Sequence, residues 1–317
     1  MLAAGNKDAA ALHGPALQRL PAAELAALCA ERLAALLDRV RSAPGCCYAG
    51  AAGTLATHPP FSGAAFAAEV EAHPPFGRLQ LVPERLIRAG LATAAVPRPT
   101  PIAWTRADLD VEAHLGARVL RRAGLAPRAR SSDCLDGGLV TPGTLAISDA
   151  LDALDALALP VGPVTSDAAL QRAVEVWEIV RPEVLIVDAP SLAFLHRAPG
   201  YARPRAFAVM LTGADAGALA AAARPDVYRI LSVPQVCTFT AGECIVQDGY
   251  HLAEDAVLAE IVDERAAALP DGAHGRLLLT TLTRSLAVLR FDTGLRAALH
   301  RRPCACGDTH ARLRFAV

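Results

Sequence analysis

The hydrophobic pattern of the chain changes near residue 231. Over 79–231, short apolar runs typical of buried strands alternate with helical segments. Strands that alternate with helices predict a largely parallel sheet covered on both faces. Beyond residue 231 the apolar runs remain strand-like, but turns separate them instead of helices. The sequence therefore predicts an α/β fold, with an α/β core over 79–231 and a β-rich subdomain over 232–317.

The first 78 residues are predicted to form an N-terminal helical segment. Leucines recur at helical spacing over 21–40, and Pro21 lies where a first helical turn tolerates proline. A short helix is predicted over 64–71. The other predicted helices are 105–124, 146–157, 166–181 and 214–223, and the predicted strands are 79–82, 184–188, 207–211, 227–231, 236–239, 243–246, 257–262, 276–282 and 286–291.

The composition excludes several classes of protein. With 53% hydrophobic residues, 20% charged residues and a net charge of −1, the chain is predicted to be neither disordered nor a nucleic-acid binder. Alanine dominates the apolar fraction, and no apolar run approaches the ~18 residues of a membrane-spanning helix. The N-terminus lacks the apolar segment of a signal peptide. We therefore expect a cytoplasmic protein without a membrane partner, with its eight cysteines reduced.

Lysine is almost missing from the chain. Of the 31 basic residues, only Lys7 is a lysine. Arginine cannot replace a catalytic lysine, because it stays protonated and presents a planar fork rather than a compact ammonium group. A mechanism that needs a lysine within the folded domain therefore has no candidate here.

Four residues near the C-terminus have the composition of a metal site. Cys244 and His251 are six residues apart, and Cys304 and Cys306 are separated by one residue. Two close pairs of this kind can close a tetrahedral Cys3His site that ties a small subdomain together. With four protein ligands, such a zinc site is structural rather than catalytic. The alternative is two chance cysteine pairs beside a surface histidine.

A series of short segments resembles one enzyme family in both order and spacing. The segments are WTRADL at 104–109, LVTPG at 139–143, APS at 189–191, GYHLAED at 249–255, AEIVD at 259–263, PDG at 270–272, LTTLT at 279–283, RFDTG at 290–294 and CACGDTH at 304–310. From about residue 21 to the C-terminus, the chain resembles the phenylacetate-CoA ligase branch of the adenylate-forming (acyl-CoA synthetase) superfamily. The resemblance implies the large N-terminal domain of that fold, with an αβα-layered sheet and a β-rich subdomain, and it supports the zinc site.

The adenylation motifs of this family are altered here. The family's phosphate loop, S-S-G-T-T-G-K-P-T, corresponds to ATAAVPRPT at 92–100, which has lost both glycines and contains Pro97. Ser232 stands where the family's tyrosine motif has a magnesium-binding glutamate, and Leu295 where it has a ribose-binding aspartate. The sequence ends before the family's small C-terminal domain and its catalytic lysine. The resemblance thus implies a divergent, truncated member for which neither ATP nor Mg²⁺ is expected.

Relatives that exchange acyl groups between thioesters need no ATP. We therefore predict an acyltransferase that moves an aryl or other acyl group from a CoA thioester to an acyl carrier protein in natural-product biosynthesis. A catalytically inactive, ligase-like scaffold that binds a carrier protein or a partner ligase is the first alternative. An AMP-forming acyl-CoA ligase is the second. Because carrier proteins are acidic, five arginines are predicted to dock them, and a homodimer is compatible with the sequence. These arginines are Arg118, Arg121, Arg122, Arg301 and Arg302.

A thiolate is the natural nucleophile for such an exchange. Cys237, after the altered tyrosine motif, is the first candidate, and Cys134 is the second. Substitution of Cys237 by alanine is then expected to abolish transfer. Tyr228, Gly213 and Ser232 are predicted to contact substrate. The sequence names no convincing general base.

Overall fold

The computed structural model describes residues 14–50, 53–137, 140–198, 200–201, 203–212 and 224–315. Six α-helices lie in these ranges: α1 (Ala22–Ser42), α2 (Gly63–Ala72), α3 (Arg106–Arg122), α4 (Thr144–Leu154), α5 (Asp167–Val180) and α6 (Ala189–Arg197). The strands there are β1 (Phe61–Ser62), β2 (Leu86–Ala92), β3 (Thr100–Thr105), β4 (Arg130–Asp133), β5 (Val140–Thr141), β6 (Leu157–Pro160), β7 (Val184–Val187), β8 (Ala206–Thr212), β9 (Val227–Val233), β10 (Cys237–Glu243), β11 (Tyr250–Leu252), β12 (Val257–Val262), β13 (Gly275–Thr281), β14 (Phe291–His300) and β15 (Arg312–Phe315).

One large mixed sheet runs through most of the molecule. Its order is β12-β13-β14-β15-β11-β10-β9-β8-β7-β4-β6, and β1 pairs with β14. The strands from β6 to β9 are parallel, whereas those from β9 to β12 are antiparallel. The predicted α/β class is confirmed. The predicted boundary after residue 231 lies within β9, so strands from both predicted regions share this sheet.

The parallel half of the sheet has a topological switch point. Strand β4 lies between β6 and β7, so the chain leaves it first toward one side and later toward the other. In open α/β sheets, ligands bind outside the carboxyl ends of the strands near such a point. The residues at this edge, which we call the carboxyl edge, are Asp133 and Cys134 after β4, Asp188 after β7, Thr212 in β8 and Ser232 in β9.

Helix α3 has a polar start and an unusual buried face. Thr105 caps its first turn, because its side chain accepts from the Asp108 N–H while Asp108 accepts from the Thr105 N–H. Gly116 lets the helix pack closely, since a Cβ there would lie 2.5 Å from the Ala150 Cβ and 2.7 Å from the Phe239 ring. Four charged residues are also buried on α3: Asp108, Glu112, Arg118 and Arg122.

Helix α1 belongs to a smaller hydrophobic core. Leu36, Leu37 and Val40 are buried there with Leu55 and Leu289. The predicted helix over 21–40 is thus confirmed with slightly different ends. Within the ranges given above, no helix combines the length and the apolar character that crossing a membrane would require.

Several predicted elements were wrong or missed. Residues 79–82 do not form a strand; the hairpin of β2 and β3 follows them instead. The helix predicted over 146–157 ends at Leu154, because Asp155 adopts a left-handed conformation and Leu157 begins β6. The strand predicted over 286–291 was also wrong, and β14 begins where that stretch ends. Helix α6 was not predicted. The helix predicted over 214–223 lies outside the described residues.

Candidate functional site

Two strand pairings bring the predicted metal ligands together. Cys244 follows the end of β10, and the β10–β11 pairing places Gly242 opposite His251. Cys304 and Cys306 lie between β14 and β15, and β15 pairs with β11. The four donor atoms all lie within 4.8 Å of one another. The two pairs, distant in sequence, therefore form one cluster.

The distances within the cluster fit a tetrahedral metal site. The Sγ atoms of Cys244 and Cys304 are 3.8 Å apart, and the Cys306 Sγ lies 3.4 Å from the His251 Nε2. In a tetrahedral zinc site with Zn–S bonds of about 2.3 Å and a Zn–N bond of about 2.0 Å, the corresponding separations are about 3.8 Å and about 3.5 Å. Three thiols and one imidazole are also a ligand set that zinc prefers. The residues present therefore fit a zinc ion.

The metal-type cluster and the carboxyl edge lie at opposite ends of the sheet. Cys237 begins β10 opposite Val233 of β9, whereas Cys244 follows the far end of β10. Seven strand residues separate these ends by about 20 Å. A metal ion in the cluster would therefore be remote from a substrate held at the carboxyl edge. This position agrees with a structural role.

The counterpart of the family's phosphate loop is fixed against its neighbours. The loop connects β2 to β3, and its buried Ala94 carbonyl accepts a hydrogen bond of 2.5 Å from the Gln235 side-chain amide. On its other side it packs on Gly63, where a Cβ would lie only 1.6 Å from the Ala95 oxygen. Pro97 contributes no N–H group. The loop is thus packed onto the protein through carbonyls that would otherwise be free.

The altered tyrosine motif is an ordinary strand. Ser232 is fully buried opposite Thr212, and its Oγ has no hydrogen-bond partner among the described residues. Tyr228 is half-buried opposite Ala208, about 13 Å from Ser232 along β9. The structure therefore does not bring these two predicted substrate contacts together. Gly213, the third, lies outside the described residues. Leu295 is buried and apolar.

Cys237 is held as a neutral thiol. It is only 2% exposed, and its Sγ donates to the Glu112 carboxylate at 3.8 Å. Burial raises the pKa of Cys237 well above its usual range, and the charge of Glu112 raises it further. A buried thiol beside a carboxylate is a poor source of thiolate. The geometry therefore does not favour the predicted nucleophilic role of Cys237.

Cys134 is equally inaccessible. It is fully buried at the end of β4, where its N–H donates to the Ile186 carbonyl. Burial, followed by the charges of Asp133 and Asp188, raises its pKa. Four strand spacings separate β4 from β10, so Cys134 lies about 19 Å from Cys237 across the sheet. The two candidates cannot act at one site.

Glu112 was not singled out from the sequence. Its carboxylate accepts from the Thr238 N–H at 3.0 Å and lies 3.6 Å from the Arg284 guanidinium. Burial raises its pKa, although Arg284 and Thr238 oppose that change. Arg284 is itself buried and stacks 5.1 Å above the Trp104 ring. The only signal in the sequence was a carboxylate four residues after Asp108 on the same face of a helix.

Two of the five predicted docking arginines are not on the surface. Arg118 pairs with Asp255 at 2.6 Å and Arg122 pairs with Asp308 at 2.7 Å, and all four side chains are buried. These two assignments were wrong, because the acidic partners come from distant parts of the chain. Arg121, Arg301 and Arg302 are exposed.

Comparisons with known proteins were made by sequence and by structure. No protein-family model matches the chain. The chain is 30% identical to the phenylacetate-coenzyme A ligase of Thermus thermophilus over 76% of this chain and 56% of that protein. It is 28% identical to the phenylacetate-coenzyme A ligase of Escherichia coli K12 over 69% of this chain and 52% of that protein. It thus spans about half the length of the curated relatives it matches.

The solved structures agree with this result. A 2-hydroxyisobutyryl-CoA ligase in complex with 2-HIB-AMP and CoA matches 94% of this chain and 69% of its own, with a TM-score of 0.79 and 21% identity. At this identity the likeness shows the fold, which is that of an adenylate-forming CoA ligase. Together with the similarity to the Thermus thermophilus enzyme, it establishes that the chain belongs to the phenylacetate-CoA ligase family of adenylate-forming enzymes.

Proposed function

We propose that the protein transfers an aryl or other acyl group from a CoA thioester to the thiol of an acyl carrier protein without using ATP. The observation that carries this proposal is the hydrogen bond between Gln235 and Ala94. It fixes the loop that holds nucleotide phosphates in the family, and that loop has lost its glycines and lysine. Energy from ATP is unnecessary, because one thioester replaces another.

The reaction we propose is a direct exchange. The carrier thiol loses its proton and attacks the acyl carbonyl, its new C–S bond forms, and the bond to the CoA sulfur breaks. The released CoA thiolate takes up a proton, so atoms and charge balance. An acyl-enzyme intermediate is not part of this route, because Cys237 and Cys134 are both buried neutral thiols.

The acyl group would bind at the carboxyl edge of the sheet. There Ser232 has replaced the carboxylate that helps hold magnesium in the family, and Leu295 has replaced the ribose-binding aspartate. Both substitutions remove polar groups that served the nucleotide. They leave an edge better suited to an acyl group than to a charged phosphate.

The test is an intact-mass assay of the carrier protein. The full chain is incubated with a panel of aryl-CoA and acyl-CoA thioesters and a carrier protein bearing its phosphopantetheine arm, with no ATP. We expect the carrier to gain the mass of one acyl group, and we expect no gain with a carrier that lacks the arm. Failure of every thioester to acylate any carrier would contradict the proposal.

A catalytically inactive scaffold is the second candidate. The burial of both candidate nucleophiles favours it, since a protein without chemistry needs no accessible thiol. It predicts saturable binding of a carrier protein or a partner ligase with no acylated product. AMP-forming ligation, the activity named for the relatives, instead predicts pyrophosphate release that depends on the acid substrate.

We further propose that Cys244, His251, Cys304 and Cys306 hold one structural zinc ion. The sulfur–sulfur and sulfur–nitrogen distances support this assignment. The ion would supply a link between β10, β11 and the β14–β15 connection, and its remote position gives it no part in acyl transfer. Elemental analysis of the purified protein should find about one zinc per chain, as a single four-ligand site requires.

A further inference from the structure

The ion pair between Arg122 and Asp308 contacts both halves of the Cys/His cluster. Arg122, in the last turn of α3, donates from Nε to the Asp308 Oδ2 at 2.7 Å. Its Nη1 donates to the main-chain carbonyl of His251 at 3.4 Å. Asp308 lies two residues after Cys306 in the same connection. A single guanidinium group therefore ties the Cys304/Cys306 connection to strand β11.

Asp308 also contacts two of the ligand residues directly. Its Oδ1 lies 3.5 Å from the His251 Nδ1, and its own N–H donates to the Cys306 Sγ at 3.4 Å. The same Oδ1 accepts from the His310 N–H at 2.9 Å, while the His310 carbonyl lies 3.2 Å from the His251 Nδ1. These contacts engage Nδ1 on one side of the ring. The other nitrogen, Nε2, is thereby directed at Cys306.

We propose that Arg122 and Asp308 are positioning residues that assemble the metal site before the metal binds. The two ligand pairs are far apart in sequence, so a pre-formed arrangement removes much of the ordering cost of binding. Partners that orient a metal-binding imidazole through its second nitrogen change metal affinity by about 10–100-fold. Arg122 belongs to α3, so the pair also anchors the metal site to the helix that packs on β10.

The same helix provides a matched control one turn earlier. Arg118 pairs with Asp255 at 2.6 Å, and both side chains are as deeply buried as those of Arg122 and Asp308. Arg32 of α1 also binds Asp255. Neither Arg118 nor Asp255 has a described hydrogen bond or ion pair to any of the four ligand residues. Breaking this pair removes a buried ion pair without touching the cluster.

The experiment compares four variants of the full chain: Asp308→Asn, Arg122→Lys, Asp255→Asn and Arg118→Lys. Zn²⁺ affinity is measured by competition with a chromogenic chelator, and the Co²⁺-substituted proteins are compared by their visible absorption. Melting of the metal-free proteins reports the structural cost of each substitution. We expect Asp308→Asn and Arg122→Lys to weaken Zn²⁺ binding by about 10–100-fold and to shift the Co²⁺ bands. The control variants should melt earlier but keep the wild-type affinity and spectrum.

A purely structural role predicts a different pattern. In that case all four variants would lose stability while zinc affinity and the Co²⁺ spectrum stayed unchanged, and the proposal would be overturned. Absence of zinc binding by the wild-type protein would overturn it as well. If Asp308→Asn does not fold, Arg122→Lys decides, because it keeps the positive charge but lacks the fork that reaches both Asp308 and His251. The acyl-transfer assay uses no metal and is judged separately.

Discussion

The side-chain amide of Gln235 donates a 2.5 Å hydrogen bond to the main-chain carbonyl of Ala94. Gln235 follows β9, at the carboxyl edge of the sheet, and Ala94 lies in the loop that corresponds to the family's phosphate loop. Both residues are buried. Because a loop that wraps phosphate needs free main-chain groups and freedom to move, this contact turns a nucleotide-binding element into a packed one.

Substitution Gln235→Ala should destabilise the protein without creating nucleotide binding. The Ala94 carbonyl would remain buried without its donor, which costs about 1–3 kcal/mol of unfolding free energy. Chemical denaturation measures this loss. Gln247→Ala is the matched control, since that partly exposed amide also donates to main-chain carbonyls and water can replace it. Equal losses in the two variants would show that the buried contact has no special weight.

Substitution Cys237→Ala should leave acyl transfer intact. The sequence alone suggested the opposite, but the thiol is buried and donates to Glu112. We expect wild-type transfer rates, no acyl adduct on the protein in either form, and a stability loss of about 1 kcal/mol from the vacated core space. Cys134→Ala is the parallel control. An adduct that disappears together with activity in Cys237→Ala would restore the covalent route.

Removal of the metal should loosen the antiparallel half of the sheet. Because the four ligands come from β11 and from segments beside β10, β14 and β15, a chelator should lower the melting temperature and leave the helices of the parallel half largely folded. Cys306→Ala should give the same shift without a chelator, whereas Cys29→Ala, on α1, should remain chelator-sensitive. An unchanged melting curve after complete zinc removal would exclude a structural metal.

Asp133 should make stability fall as the pH rises. Burial raises the pKa of Asp133 to about 6, partly offset by a hydrogen bond from the Leu135 N–H, and its Oδ2 has no hydrogen-bond partner among the described residues. A carboxyl group whose pKa is raised by folding binds its proton more tightly in the folded state. Its contribution is therefore fully present below the unfolded pKa of about 4 and is lost as the pH rises through 6.

The variant Asp133→Asn tests this directly. It removes the charge but keeps an oxygen for Leu135, so at pH 7.5 it should be more stable than the wild type by about 1–3 kcal/mol. Below pH 4 the two proteins should be equally stable. Urea denaturation at both pH values gives the comparison. A stability difference that does not depend on pH would contradict the assigned titration.

The parts of the fold that the sequence predicted have local causes. Helix α3 was predicted because Thr105 and Asp108 form a capping box at its start. The metal cluster was predicted because Cys244, His251, Cys304 and Cys306 are the types of residue that zinc binds. The hairpin of β2 and β3 was missed, since its strands contain few β-branched or aromatic residues and its loop contains two prolines.

The burial of charged and nucleophilic side chains could not be predicted. Arg118 and Arg122 look like surface residues until Asp255 and Asp308, more than a hundred residues away, supply buried partners. Cys237 looks accessible from its motif, yet α3 covers it through Glu112. Both outcomes depend on contacts between distant segments, which spacing within one segment does not report. Resemblance to a family located the motifs but not their depth.

Calorimetric titration of the protein with Mg·ATP tests the loss of nucleotide binding most directly. The matching fragment of the Thermus thermophilus phenylacetate-coenzyme A ligase serves as the reference, because it covers the same part of the family's sequence. We predict no saturable heat for this protein under conditions in which the reference fragment binds. Saturable binding of Mg·ATP, abolished by a competing acyl-adenylate analogue, would contradict the proposal that acyl groups are handled here without ATP.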